Sequence, residues 1–137
     1  MAITSAICNS YKQEVLEGVH ASTDTYKVAL YTSSATLDAT TTAYSATNEA
    51  SGTGYTAGGA TLANFASGLS GSTAYVTFDD VVFSSSTITA RGCLIYNSSK
   101  SNKAVAVFDF GSDVSSVSGT FTLDLPAAGA SALIRIA

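Results

Sequence analysis

Apolar residues in the first twenty positions recur at helical spacing. Ile3, Ile7, Tyr11, Val15 with Leu16, and Val19 make one stripe, and Lys12, Gln13, Glu14 and Glu17 fall off it. The pattern predicts a helix over residues 1–20, ended by Gly18 and the polar run 21–24. A helix this short is not stable alone, so its stripe must cover a sheet or a neighbouring subunit.

Beyond it the period changes to two. Residues 26–31 read as a strand with Tyr26, Val28 and Leu30 on one face. Residues 74–78, 81–83, 87–96, 104–110, 119–125 and 132–136 read as further strands. Gly92 marks a bulge or a close backbone approach, and the polar turn 97–103 joins its two flanking strands as a hairpin. In 119–125, Phe121, Leu123 and Leu125 face inward, and Pro126 stops the strand. Residues 38–62 are Ala, Thr, Ser, Asn and Gly with Asp38 and Glu49 as the charges. They read as one long loop, with a short strand inside 55–61. A loop of that size in a compact domain is functional or lies against a partner. The pattern predicts a single, mainly β domain over residues 1–137. It is an antiparallel β-sandwich or barrel-like sheet of six to eight strands with one N-terminal α-helix.

Composition narrows the function. Only 12% of the residues are charged and the net charge is −4, with six Lys and Arg. Nucleic-acid binding needs clustered bases, so none is expected. No apolar run approaches ~18 residues, so no membrane span is expected. The first residues lack a basic start and a sustained apolar run, which predicts folding in a cytoplasm rather than export. Twenty-one Ser and eighteen Thr supply much of the polar surface.

Candidate chemistry is sparse. His20, the one histidine, sits at the expected helix end and reads as a surface or capping residue. Asp79 and Asp80 read as a turn, since neighbours on a strand point to opposite faces. Arg91 and Asp109 read as a structural ion pair. Gly52, Gly54 and Ala57 match a G-x-G-x-x-A string without the strand and helix that a dinucleotide needs, so no cofactor is expected. These glycines let the loop bend sharply or lie flat on a surface. Cys8 and Cys93 lack neighbours at ligand spacing, so no metal is expected. They read as buried thiols, with a later disulfide as the alternative, either within the chain or, if Cys8 lies at a subunit boundary, between chains through Cys8. Tyr44 and Tyr55 lie in the polar loop, where they either fold back on the domain or serve an interface.

Four blocks carry a family resemblance. They are Thr4-Ser-Ala-Ile-Cys-Asn-Ser-Tyr-Lys-Gln-Glu-Val-Leu16, Tyr26-Lys-Val-Ala-Leu-Tyr-Thr-Ser-Ser-Ala-Thr-Leu37, Tyr44-Ser-Ala-Thr-Asn-Glu-Ala-Ser-Gly-Thr-Gly-Tyr-Thr-Ala-Gly-Gly59 and Thr87-Ile-Thr-Ala-Arg-Gly-Cys-Leu-Ile-Tyr-Asn97. In this order the chain resembles small virion structural proteins of tailed bacteriophages. The resemblance implies no catalytic residue. It implies a capsid decoration (cement) protein that holds the major capsid protein or other virion proteins, as a homo-oligomer with a trimer favoured. The alternative is a collar, tail or fibre module that binds neighbouring virion proteins or a host glycan. The expected contacts are Ile3, Ile7, Cys8 and Tyr11 of the N-terminal segment, Tyr44, Glu49 and Tyr55 of the loop, and Ile134 and Ile136 of the last strand. Deleting residues 40–61 is then expected to leave the fold intact and abolish particle binding.

Overall fold

A computed structural model describes residues 2–124 and 134–136. The elements run β1 (Ala6–Ile7), α1 (Asn9–Leu16), β2 (Tyr26–Tyr31), β3 (Ala60–Thr61), β4 (Ala66–Ser70), β5 (Thr73–Thr77), β6 (Val81–Asn97), a 3-10 turn (Ser98–Lys100), β7 (Lys103–Leu123) and β8 (Ile134–Ile136). One antiparallel sheet has the order β1-β7-β6-β2-β3 and a smaller one the order β4-β5-β8. The architecture is mainly β and sandwich-like, as the periodicity predicts, and no closed barrel forms among the described residues.

The N-terminal helix is shorter than expected. Residues 6 and 7 are extended along β7, Ala6 opposite Val107 and Ile7 opposite Ala106. The Cys8 amide donates to the Val105 carbonyl at 3.0 Å. The open edge of β7 takes these backbone groups, so helical spacing at Ile3 and Ile7 does not become a helix. The helix starts after Cys8 and ends in a left-handed Gly18 (φ +74°). There the Val19 amide reaches Glu14 O and the Gly18 amide reaches Val15 O, which together close the last turn. Tyr11 is the buried helical residue, and Leu16 points outward at 89% exposure.

β6 and β7 are longer than expected. Residues 84–86 and 111–118, rich in Ser, fall between the expected strands, yet β6 and β7 continue through them. Register shifts between Phe83 and Ser86, and between Ser86 and Ile88, absorb the irregularity, with Ser85 and Ser118 at positive φ. The buried Ser86 hydroxyl bonds Ser116 at 2.8 Å and the Gly119 carbonyl at 3.0 Å. Another shift falls at Gly92, where a Cβ would meet the Phe108 carbonyl oxygen at 2.5 Å and Ile3 Cγ2 at 2.8 Å. Phe121 and Leu123 are buried and Thr122 and Asp124 exposed, matching the expected alternation. Leu125 and Pro126 lie outside the described residues.

The core centres on β2, which is buried on both faces. Val28, Ala29 and Leu30 pack with Leu94 and Ile95 of β6 and with Val105 and Val107 of β7. Tyr26 joins the two sheets, 5.8 Å from the ring of Phe65 and 5.6 Å from that of Phe78.

Candidate interaction surface

The loop over 38–62 is folded against the larger sheet. It starts with an Asx turn, in which Asp38 Oδ1 accepts from the Thr40 amide at 2.8 Å. Its centre is Glu49. One carboxylate oxygen accepts from the Tyr44 hydroxyl at 2.6 Å, and the other accepts from the Tyr55 hydroxyl and from the Gly58 amide at 2.8 Å. The Tyr55 oxygen also accepts from the Leu30 amide at 2.9 Å. The ring of Tyr44 stacks on Tyr96 at 4.8 Å and that of Tyr55 lies against Phe83 at 5.6 Å. Tyr31 and Tyr96 add hydroxyl bonds to the Ser45 and Gly58 carbonyls. Burial, and then the bond to the Glu49 carboxylate, push the Tyr44 and Tyr55 hydroxyls well above their ordinary range.

Tyr44, Glu49 and Tyr55 therefore converge on one another and on their own sheet. Tyr96 takes one face of Tyr44, so that face is closed to a glycan. The glycines explain the fit. A Cβ at Gly59 (φ +83°) would sit 1.8 Å from the Val28 carbonyl oxygen, and one at Gly52 would sit 2.0 Å from that of Thr87. The surface on which the loop lies flat is the domain itself. Residues 40–61 also supply β3 and buried Ala50. Their deletion would uncover β2, so the expectation of an intact fold without them is corrected.

A second region gathers other expected residues. An open cleft of about 420 Å³ lies between α1 and the smaller sheet, lined by Tyr11, Val15, His20, Phe65, Tyr75 and Ile134 among others. A more apolar recess of about 330 Å³ adjoins it and adds Ile7 and Leu16. Leu16 on one side, and Leu69 at 74% exposure on the other, leave large apolar side chains at the rim. Ile7, Tyr11 and Ile134 thus come together. Ile3 lies elsewhere, bridged to Leu37 and touching Gly92. Ile136 pairs through its backbone with Ala74.

Cys8 is fully buried, and so is Cys93. Burial is the main cause that raises the Cys8 thiol to about 11 and the Cys93 thiol to about 12. An inter-chain disulfide through Cys8 needs an accessible thiolate, and this packing provides none.

At the back of the cleft His20 departs from the surface role expected of it. Its side chain is 2% exposed. Nε2 lies 2.9 Å from Glu14 Oε1, and Nδ1 lies 3.0 Å from Asn97 Nδ2. Asp24 can only accept and the Ser99 amide can only donate, so they orient the Asn97 amide between them, at 2.8 Å and 3.0 Å. Nδ1 then faces a donor, which assigns the proton of the neutral ring to Nε2. Lys100 Nζ bonds both Asp24 oxygens at 2.8 Å. Bonds from Lys100, Asn97 and the Ala21 amide hold the Asp24 carboxyl down at about 2. Both ring nitrogens are engaged in a closed network, an arrangement that orders the chain between α1 and β2.

Arg91 and Asp109 form the expected pair at 2.9 Å. Asp79 lies in the irregular link between β5 and β6 rather than in a defined turn, its amide bonded to the Ala63 carbonyl and its carboxylate to Asn64. No cluster of three or more His, Cys, Asp or Glu that could hold a metal occurs among the described residues. No helix among them is long and apolar enough to cross a membrane.

Sequence reasoning missed the His20 network and the cleft. The network partners Glu14, Asp24 and Asn97 are scattered through the chain, and no local spacing announces them. No family model, curated protein or solved structure matches this chain.

Proposed function

We propose that the chain is a non-enzymatic structural protein of a tailed-phage particle, acting as a decoration protein on the capsid. Its mechanism is passive: each added contact raises the free energy needed to open the shell. The supporting observation is the apolar cleft with Leu69 at its rim and the adjoining recess with Leu16 at its own, beside a loop whose carboxylate and tyrosines are bonded internally. Exposed apolar groups around an open recess suit burial against a neighbour, whereas the polar groups are already satisfied within the chain. The partners are the major capsid protein and further copies of the chain, a trimer being the form that suits a three-fold lattice position. The virion is its place of action.

Electron cryo-microscopy of intact particles, with the chain located and counted, tests this reading. On the order of hundreds of copies on the shell is the expected result under symmetric assembly. A few copies at the neck or tail would instead make it a collar or fibre module. Particles without the chain would overturn both.

A further inference from the structure

β4 is an edge strand. Among the described residues it pairs only with β5, in an unbroken register from Ala66 opposite Thr77 to Ser70 opposite Thr73. Ala66, Ser67 and Leu69 are exposed. Edge strands of monomers are ordinarily guarded by a charge, a proline or a bulge, because their free N–H and C=O groups invite another strand. β4 has none of these guards. No charged residue stands between Glu49 and Asp79, so this stretch contributes nothing to the net charge of −4. Two copies meeting here avoid the like-charge repulsion that their other surfaces carry.

The strand is also self-complementary. We propose that β4 pairs antiparallel with β4 of a second copy about a two-fold axis at Gly68, merging the two smaller sheets into one. Ala66 then faces Ser70 of the other copy, and Ser67 faces Leu69. Small partners leave each Leu69 room to lie against its counterpart diagonally, within the reach of long side chains. On the other face Tyr75 covers Gly68, where a Cβ would come within 2.8 Å of its hydroxyl oxygen. The glycine at the axis leaves that space to the two tyrosines. Main-chain bonds supply the affinity, as in other strand additions. The contact is two-fold, so on a shell it would link neighbouring oligomers rather than close a three-fold ring. It shares Leu69 with the rim of the cleft but does not require that the chain sit on a capsid.

Sedimentation of the purified chain at about 100 µM, enough to fill a contact of micromolar affinity, should show a dimer. Leu69→Lys should weaken it at least about tenfold, since the two lysines and the lost apolar pair both oppose contact. Val117→Lys, exposed on β7 and outside both the edge and the cleft, should leave it unchanged. Circular dichroism checks that each variant is folded. A second measurement reads the geometry directly. Ser67→Cys and Leu69→Cys chains, mixed and mildly oxidised, should give a covalent heterodimer, and each alone should give little. A monomeric wild type, a dimer indifferent to Leu69→Lys, or cross-linking as strong in the single variants as in the mixture would each overturn the proposal.

Discussion

Glu49 is the residue on which the long loop should depend most. Glu49→Ala removes a carboxylate that takes two tyrosyl hydroxyls and one backbone amide. Bonds to a charged group contribute about 1.5–3 kcal/mol each. The three are not additive, and the residue is only half-buried, so water recovers part of the loss. A net loss of about 3 kcal/mol follows, or a fall in Tm of about 10 °C for a chain of this size. Glu49→Gln keeps an oxygen for Tyr55 and Gly58, and its amide can donate to Tyr44. It should lose about 1 kcal/mol, the difference between charged and neutral bonds. Urea unfolding followed by tyrosine fluorescence measures both, since the chain has seven Tyr and no Trp. Alkaline titration near 295 nm supplies an independent readout. Tyr44 and Tyr55 are raised in the folded state, so their contribution is present below pH ~10 and lost as the pH climbs through their folded values. Glu49→Ala should let both ionise at lower pH. A loss under about 1 kcal/mol, or equal losses for Ala and Gln, would refute the view that this carboxylate clamps the loop.

Other expectations follow from the same geometry. Asp24 is depressed to about 2, so its contribution is complete above pH ~4 and disappears as the pH falls toward 2; Asp24→Asn should lower stability at pH 7 and flatten its dependence across that acid range. Gly59→Ala should cost about 3 kcal/mol, because positive φ adds to a collision with the Val28 carbonyl, whereas Gly18→Ala, with open space around it, should cost about 1 kcal/mol. Chemical denaturation reports both, and equal losses would show that the close approach is relieved. Neither thiol should react with a disulfide reagent in the native protein, and both should react after unfolding; rapid native labelling of Cys8 would show that the N-terminal segment opens and would revive a disulfide through it.

Much of the sheet was legible because its strands carry their signal locally. Tyr26, Val28, Ala29 and Tyr31 are β-branched, aromatic or small, and the polar turn after Asn97 is flanked by two apolar runs that pair as a hairpin. The helix start was not legible. Ile3 and Ile7 satisfy helical spacing as well as Tyr11 and Val15 do, and only the distant β7 edge decides that residues 6 and 7 are extended. Serine and glycine at 84–86 and 111–119 have turn propensity, which tertiary pairing overrides through bulges. β4 carries small residues and a single leucine, too weak an alternation to register. At the site, Tyr44 and Tyr55 were visible as aromatics in a polar loop, but their direction depended on Glu49, Leu30 and Tyr96, brought together only by the fold. His20 was legible as a residue and not as a buried one, since its partner Asn97 lies far along the chain.

The β6–β7 hairpin has a consequence for how the chain acquires its shape. β2 pairs with β6, β3 in turn with β2, and β1 with β7. Synthesis from the N-terminus therefore releases the early segments before the surface they dock on exists. The hairpin closes through the short turn after Asn97, a local event on the microsecond scale, whereas Ile7 must wait for Ala106. Folding of the first half is thus held back until the second half has left the ribosome, and a transcript cut short before β7 should yield a chain with exposed strand edges and no core to hide them.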